Sequence, residues 1–184
     1  MSEQPTLRTS RLYLRAPESR DATRIQLLAG DRDVADTVSS IPHPYPDGAA
    51  DAWIDGRRLE WDAGTSAAFA IFEAAENLLV GVAGLSITSS HSLGEVGYWI
   101  GVPYWGRGYA TEAAAALITF AFDVLQLHRV EARHFSRNPA SGRVMQKLGM
   151  TFEGVQRESI RKGDQFEDAA VYAVLAREWR EKTT

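Results

Sequence analysis

The chain has 184 residues, 45% of them hydrophobic and 24% charged, enough for one domain with a buried core. A net charge of -4 leaves no overall field to favour nucleic acid or an anionic membrane. With no cysteine, disulfides, thiolate metal sites and cysteine nucleophiles are all excluded. The first ten residues carry no apolar run and no segment is long enough to span a bilayer, so the expectation is a cytoplasmic protein without a signal peptide.

In chain order, residues 7–15 alternate Leu12 and Leu14 against Arg11, Tyr13 and Arg15, the pattern of one half-buried strand, which Pro17 stops. Ser19 to Asp21 cap a helix with Ala22, Ile25, Leu28 and Ala29 at helical spacing. Gly30 and Asp31 break it, and Val34, Ala35 and Val38 mark a second short helix. Residues 41–48 hold three of the seven prolines, which rules out regular helix. Two readings stay open there: a rigid connector, or a stiff loop that presents His43 and Tyr45 to a substrate. Asp47 or Asp51 then opens a helix with Trp53, Ile54, Arg57 and Trp61, ending near Gly64. Residues 67–73 and 78–88 read as apolar strands of a hairpin turning at Glu76 and Asn77, and residues 89–93 as a polar loop.

Beyond the central segment, residues 128–136 form a further strand, and Asn138-Pro139 starts a helix that Gly149 ends. Residues 151–161 and 166–177 read as two long strands around Lys162, Gly163 and Asp164, and the charged tail 178–184 is expected to fray. The order predicts one mixed α/β domain of the α+β type over residues 1–184, with its core at about 7–179. Its sheet is expected to be largely antiparallel, with helices on both faces.

Residues 94–116 carry the strongest local signal. Strand alternation puts Glu95, Gly97 and Trp99 on one face and Val96, Tyr98 and Ile100 on the other. Gly97 and Gly101 leave gaps where a ligand or another backbone can approach. Pro103 removes an amide, so the ladder is expected to end or splay near Val102, and a splay would free backbone groups for an amide-bearing ligand. The chain then turns through Gly106 and Gly108 into a helix from Ala110, whose Ala113, Ala114, Leu117 and Ala121 lie on one apolar stripe. Unpaired amides at that helix start, with the positive end of its dipole, favour a pyrophosphate. Arg107 either adds a charged contact or is simply solvated. No Lys-Ser/Thr pair follows the glycines and no strand–helix–strand pattern repeats, which excludes a P-loop NTPase and disfavours a dinucleotide fold.

The stretch YWIGVPYWGRGYATEA, followed downstream by NPASGRVMQKLGM, resembles the GNAT superfamily of N-acetyltransferases, which bind acetyl-coenzyme A. The opening LRTSRLYLR and the closing strands resemble the branch that contains the bacterial ribosomal-protein N-terminal alanine/serine acetyltransferases, and the likeness runs from Leu7 to Trp179. It implies a GNAT-like domain with a splayed central sheet. The superfamily's pyrophosphate pattern, Gln/Arg-x-x-Gly-x-Gly/Ala, falls on Trp105, Gly106, Arg107, Gly108, Tyr109 and Ala110, with tryptophan in the first place. The resemblance implies that amides from Gly106 to Thr111 hold the pyrophosphate, and that Ile100, Gly101 and Val102 pair with the pantetheine arm. Asn138 is a helix cap on physical grounds and by resemblance also bonds that arm.

Acetyl transfer from a thioester to an amine needs a neutral amine, a polarised carbonyl and a proton for the leaving thiolate. A protein α-amine, with a reference pKa of about 8 against about 10.4 for lysine, asks less of the base, and a carboxylate acting through a water suffices. Glu95 is one candidate, at the start of the cofactor strand. Glu158 is the other, on a late strand that in the resembling branch approaches the acceptor, although Ser159 and Ile160 compete for that position. Either glutamate is otherwise a solvent-facing residue in an ion pair. Glu112 complements the helix dipole or fixes the loop. The helix tyrosine that many members use as acid falls on Met145; Ser141 is the hydroxyl the branch offers instead, or else an ordinary first-turn residue. His134 is a minor candidate, and no metal site is legible.

The leading reading is therefore direct transfer from acetyl-CoA to an amine acceptor, a protein N-terminus or a small molecule, since no cysteine can carry the acetyl group. The alternative is a catalytically weak CoA-binding sensor or regulatory module, which the methionine at 145 supports. Asp47, Asp51 and Asp55 point toward a cationic acceptor or are only helix-start charges. Trp53 and Trp61 permit a homodimer, and no nucleic-acid, membrane or metal partner is expected.

Overall fold

The computed structural model describes residues 3–183. Residues 7–15 are not one strand but two, β1 (Leu7–Arg8) and β2 (Leu12–Arg15), paired antiparallel. The break has a cause in the turn between them. Thr9 donates its N–H to the Leu12 carbonyl at 2.9 Å, and the Glu112 carboxylate gathers Thr9, Ser10 and Arg11 around it. A 3₁₀ turn at Ser19–Asp21 leads into α1 (Ala22–Ala29), and α2 (Arg32–Thr37) follows with Asp31 as its cap, accepting from the Asp33 N–H at 2.9 Å. The helix α3 (Ala49–Ala63) is bounded by Gly48 and Gly64, both left-handed at φ 74° and 69°, so glycine rather than Asp47 or Asp51 opens it.

The strands β3 (Ser66–Glu73) and β4 (Leu78–Thr88) form the expected hairpin, and β5 (Leu93–Ile100) returns antiparallel to β4. After α4 (Tyr109–Asp123) come β6 (Arg129–Phe135), α5 (Pro139–Lys147), β7 (Thr151–Lys162) and β8 (Gln165–Leu175). The chain closes with α6 (Ala176–Thr183), where a strand to residue 177 and a fraying tail were expected. Tertiary contact makes the difference: Trp179 is buried and donates its indole N–H to Thr119 Oγ1 on α4 at 3.1 Å. Lys182 also donates to the Gly149 carbonyl at 2.5 Å. Residue 184 lies outside the described residues.

The eight strands of this α/β domain make one mixed sheet in the order β1-β2-β3-β4-β5-β6-β8-β7, antiparallel at every step except β5–β6. Register and alternation separate its faces. Phe69, Ala83 and Tyr98 share a row on the face that α4 covers, where Phe120 meets Phe69 edge-on at 5.6 Å. Ser86, Glu95, Gly97 and Trp99 belong to the other face, toward α1 and α3. Among the described residues, no helix is long and apolar enough to cross a membrane.

The seam between β5 and β6 is where the sheet opens. β5 pairs with β4 along all eight of its residues, and β6 pairs with β8 along all seven of its own. Between them run only three rungs, Leu93 to Arg129, Gly94 to Val130 and Glu95 to Glu131. Each half of the sheet is held by its outer neighbour, so the halves diverge from this seam as the sheet twists. The β4 ladder ends at Ile100, near Val102 as expected, while the splay from β6 begins earlier, at Val96. Pro103 lies in a 3₁₀ turn, Val102–Tyr104.

Candidate active site

A strand's peptide groups alternate in direction. The Gly101 N–H donates to the Val80 carbonyl on β4 at 2.9 Å, so the peptide groups of Tyr98 and Ile100 face the other way, into the opening. The Ile100 carbonyl accepts from the Trp105 indole N–H at 2.5 Å. Trp105, the unusual first residue of the glycine pattern, therefore braces the loop back onto β5. Of the two strand glycines, only Gly97 opens on free space; a Cβ on Gly101 would stand 2.7 Å from Leu28 Cδ2. At Gly101 a side chain would press on the end of Leu28, so packing constrains that position.

A cleft of about 890 Å³ passes through the opening and reaches both faces of the sheet. On the α1 and α3 side its floor includes Ser66, Ala68, Gly84, Ser86 and Gly97, all small, and its walls include Trp53, Arg57 and Tyr45. Here the proline-rich segment does face the cleft, through Ile41 and Tyr45 but not His43. Glu95 lies at the seam, with Oε1 3.0 Å from Arg133 Nε. The pair is an ion pair without a hydrogen bond, since Arg133 Nε is buried with no hydrogen-bond partner. Asp47, Asp51 and Asp55 do not line the cleft.

On the α4 and α5 side stand Tyr98, Ser141, Met145 and His134. Asn138 caps α5 as expected, accepting from the Ser141 N–H at 3.3 Å, and this sets Ser141 at the first turn. Ser141 Oγ and Tyr98 Oη share a hydrogen bond of 3.0 Å in which either hydroxyl can donate. Burial pushes the Tyr98 phenol up to about 12, against the smaller opposing effect of the Ser141 hydrogen bond. Tyr98 stays protonated at any ordinary pH. Sequence alternation had set it on the face away from Glu95, and nothing local tells that both faces open into one cleft. His134 donates Nδ1–H to the Phe135 carbonyl at 2.7 Å, which leaves Nε2 as a buried acceptor without a partner.

The glycine loop lies beyond the cleft lining, at the start of α4. Gly106 and Gly108 are left-handed at φ 76° and 81°, the conformation that turns the chain sharply into the helix. The first intrahelical bond runs from the Glu112 N–H to the Gly108 carbonyl at 3.1 Å, so the N–H groups of Tyr109, Ala110 and Thr111 have no partner within the helix. Arg107 is held by the Pro103 carbonyl at 3.2 Å and lies over the Tyr104 ring. Arg11, which sequence reading passed over, belongs here too: it donates to the Arg107 carbonyl at 2.9 Å and pairs with Glu112 at 2.6 Å. Burial alone would raise the Glu112 carboxyl, but hydrogen bonds from Thr9, Arg11 and Ser10 outweigh it and hold the group below its ordinary range. Glu112 fixes the loop.

Glu158 is placed differently from Glu95. It occupies a bulge in β7 between Gln156 and Ile160, at φ 50°, and its N–H donates to Asp168 Oδ1 at 2.8 Å. The neighbouring Ser159, Ile160 and Arg161 line the cleft, whereas Glu158 does not. Among the described residues, no group of three or more His, Asp or Glu is placed to hold a metal.

Residues 11–151 match the family model described as an acetyltransferase (GNAT) domain. The chain is 40% identical over 85 residues to the uncharacterized N-acetyltransferase YnaD of Bacillus subtilis, covering 46% of this chain and 50% of that protein. The chain thus spans about half the length of that curated relative, and 60% of the length of a second from the same organism, YjcK. The [ribosomal protein uS5]-alanine N-acetyltransferase of Escherichia coli K12 is 28% identical over 94% of this chain and 92% of its own length. Mycobacterium smegmatis RimJ, solved in complex with CoA-disulfide, shares the fold with a TM-score of 0.86 at 23% identity, over 95% of this chain and 89% of that one. The chain belongs to the GNAT acetyltransferase family.

Proposed function

We propose that this chain, read as one domain over residues 1–184 and placed in the cytoplasm, transfers an acetyl group from acetyl-CoA directly to a primary amine. The leading acceptor class is a protein N-terminal α-amine of the ribosomal-protein kind, as the relative from E. coli is named for. One observation carries the reading. β5 and β6 part after three rungs, which brings Glu95 from one face and the Tyr98–Ser141 pair from the other into a single cleft.

The glycine loop fits a pyrophosphate. A Cβ at Gly106 would meet nothing within 4 Å, and one at Gly108 would meet only Arg11 Nη2 at 3.4 Å, so the cradle is open. The unpaired N–H groups of Tyr109, Ala110 and Thr111 and the positive end of α4 supply its donors, with Gly106, Arg107 and Gly108 shaping the loop. The N–H groups of Ile100 and Val102 would hold the amide-bearing arm, both carbonyls being bound by Trp105, with Asn138 as a further polar contact; Gly101 contributes shape, its N–H being already bound to β4.

Acetyl-CoA supplies an acyl thioester, whose carbonyl carbon forms a bond to the amine nitrogen while its bond to sulfur breaks. Glu95, at the seam and oriented by Arg133, takes the amine proton through a water. Ser141 gives its hydroxyl proton to the departing sulfur and is refilled from Tyr98 or solvent. Glu158 is the second choice of base, because its bulge sets it outside the cleft lining. The buried methionine at 145 favours a silent CoA-binding sensor, but the Tyr98 phenol restores a hydroxyl to the same cleft.

The test is acetylation of a peptide and amine panel, followed by free-thiol release and product mass. Turnover of at least one amine, lost in Glu95→Gln, is the expected result. Tight acetyl-CoA binding without turnover of any amine sinks the enzyme reading and leaves the sensor.

A further inference from the structure

Resting on that reading, we infer that the acceptor amine carries an anionic group, a carboxylate or phosphate, received by Arg133 and Arg57. The charged side chains that line the cleft are Arg57, Arg133, Arg161 and Glu95. Three are cations, in a chain whose net charge is -4. The acids that might have favoured a cationic acceptor, Asp47, Asp51 and Asp55, are absent from the lining.

The arginines are not equivalent. Arg161 lies at the rim, 66% exposed, with Nε given to the Gly163 carbonyl at 3.0 Å. Arg57 is built in: Nε donates to the Trp53 carbonyl at 2.9 Å, Nη2 to Glu60 Oε1 at 2.7 Å, and the guanidinium lies 5.1 Å from the Trp53 ring centroid. These contacts fix its plane and use two of its three nitrogens. Arg133 is paired with Glu95, whose Oε1 stands 3.0 Å from Nε without an aligned hydrogen bond, and Glu131 Oε2 lies 4.0 Å from its Nη2. The Arg133 Nε is closed off, so an oxygen anion arriving from the cleft would be met by the terminal Nη1 and Nη2 groups.

Charge complementarity then selects among amines. The reacting amine must be neutral, so an acceptor with a second cation gains nothing from Glu95, which Arg133 already neutralises. The most loosely paired cation of the lining is the rim Arg161, 3.8 Å from Asp164, while Arg57 keeps an unused guanidinium nitrogen beside its Glu60 pair. A carboxylate near the amine finds two prepared donors. Such an anion comes either from the carboxylate of a small amino acid or from an acidic side chain just after a peptide's N-terminus.

Both sources enter one experiment. The peptides Ala-Glu-Glu-Phe, Ala-Gln-Gln-Phe and Ala-Lys-Lys-Phe, all C-terminally amidated, are compared for kcat/KM, as are free alanine with alaninamide, and spermidine alone. The anionic member of at least one set should lead by ~10-fold or more, and the lead should shrink as salt is raised. The set that shows it identifies the source. In Arg57→Gln and in Arg133→Gln the ratio of acidic to basic peptide should fall toward one, a readout that loss of stability alone would not move. Equal or reversed preference in every set overturns the inference while leaving the acetyltransferase reading intact. If no amine is turned over, the CoA-loaded protein is titrated with the N-acetylated peptides, and the same preference in Kd, or its absence, decides.

Discussion

The two edges of β5 do opposite work. Toward β4 it is a finished strand, with eight rungs and the Gly101 N–H bound to Val80 beyond them. Toward β6 it is finished for three rungs and then open. The paired edge makes the strand rigid, and rigidity lets the open edge present Tyr98 and Ile100 peptide groups at fixed positions. A strand loose on both sides would hold no geometry, and one paired on both sides would leave no cleft. Function here is an interrupted ladder backed by an uninterrupted one.

Substitutions can set the edges apart. The largest effect is expected on the paired edge at Gly81, where a Cβ would collide with the Trp99 carbonyl. Gly81→Ala should cost about 3 kcal/mol of stability, as overpacking against backbone does. A denaturation midpoint equal to wild type would show that β4 and β5 can shift apart after all. At the far end of the open edge, Gly108→Val should weaken CoA binding by at least ~100-fold, about 2.7 kcal/mol. Its side chain would fill the cradle and strain φ 81°. Gly108→Asn tolerates the left-handed region better, so calorimetry on the pair separates obstruction from strain.

Gly97 supplies the matched contrast to Gly81, because nothing lies within 4 Å of its Cβ position. Gly97→Leu should fold normally and bind CoA, yet raise the KM for amine by ~10-fold as the trough fills. Unchanged amine kinetics would place the acceptor elsewhere. The smallest effect is expected at Tyr98→Phe, with kcat lower by ~5-fold through loss of the phenol that holds Ser141. A stability signature accompanies it. Folding raises the Tyr98 pKa from 10.0 to about 12, so its contribution is intact below pH 10 and is lost as pH rises toward 12. The wild type should show that alkaline loss and the phenylalanine variant should lack it; identical alkaline curves would falsify the burial of the phenol.

Much of this molecule is readable from its residues. The α5 boundaries follow from Asn138, Pro139 and Gly149, and the glycine turn into α4 follows from Gly106 and Gly108. Local rules failed where distant parts decide. The 7–15 strand breaks because Glu112, a hundred residues on, holds its turn; α6 docks because Trp179 finds Thr119. Pro103 marks the end of the β4 ladder, but the splay from β6 begins seven residues earlier, since the seam is set by β8 holding β6. Tyr98 was missed for the same reason. Alternation gives its face correctly, and only the open seam makes that face part of the cleft.

The bulge at Glu158 has a consequence outside chemistry. β7 is the outermost strand on its side of the sheet, twelve residues long, with Phe152 and Val155 exposed. A long, flat, partly apolar border invites a strand from another molecule and, in a crowded cell, the start of a fibril. The left-handed kink at Glu158 interrupts the regular border between Gln156 and Ile160, and the exposed Arg157, Glu158 and Arg161 post charge along it. One bent residue removes the unbroken edge that a second strand would need to pair along.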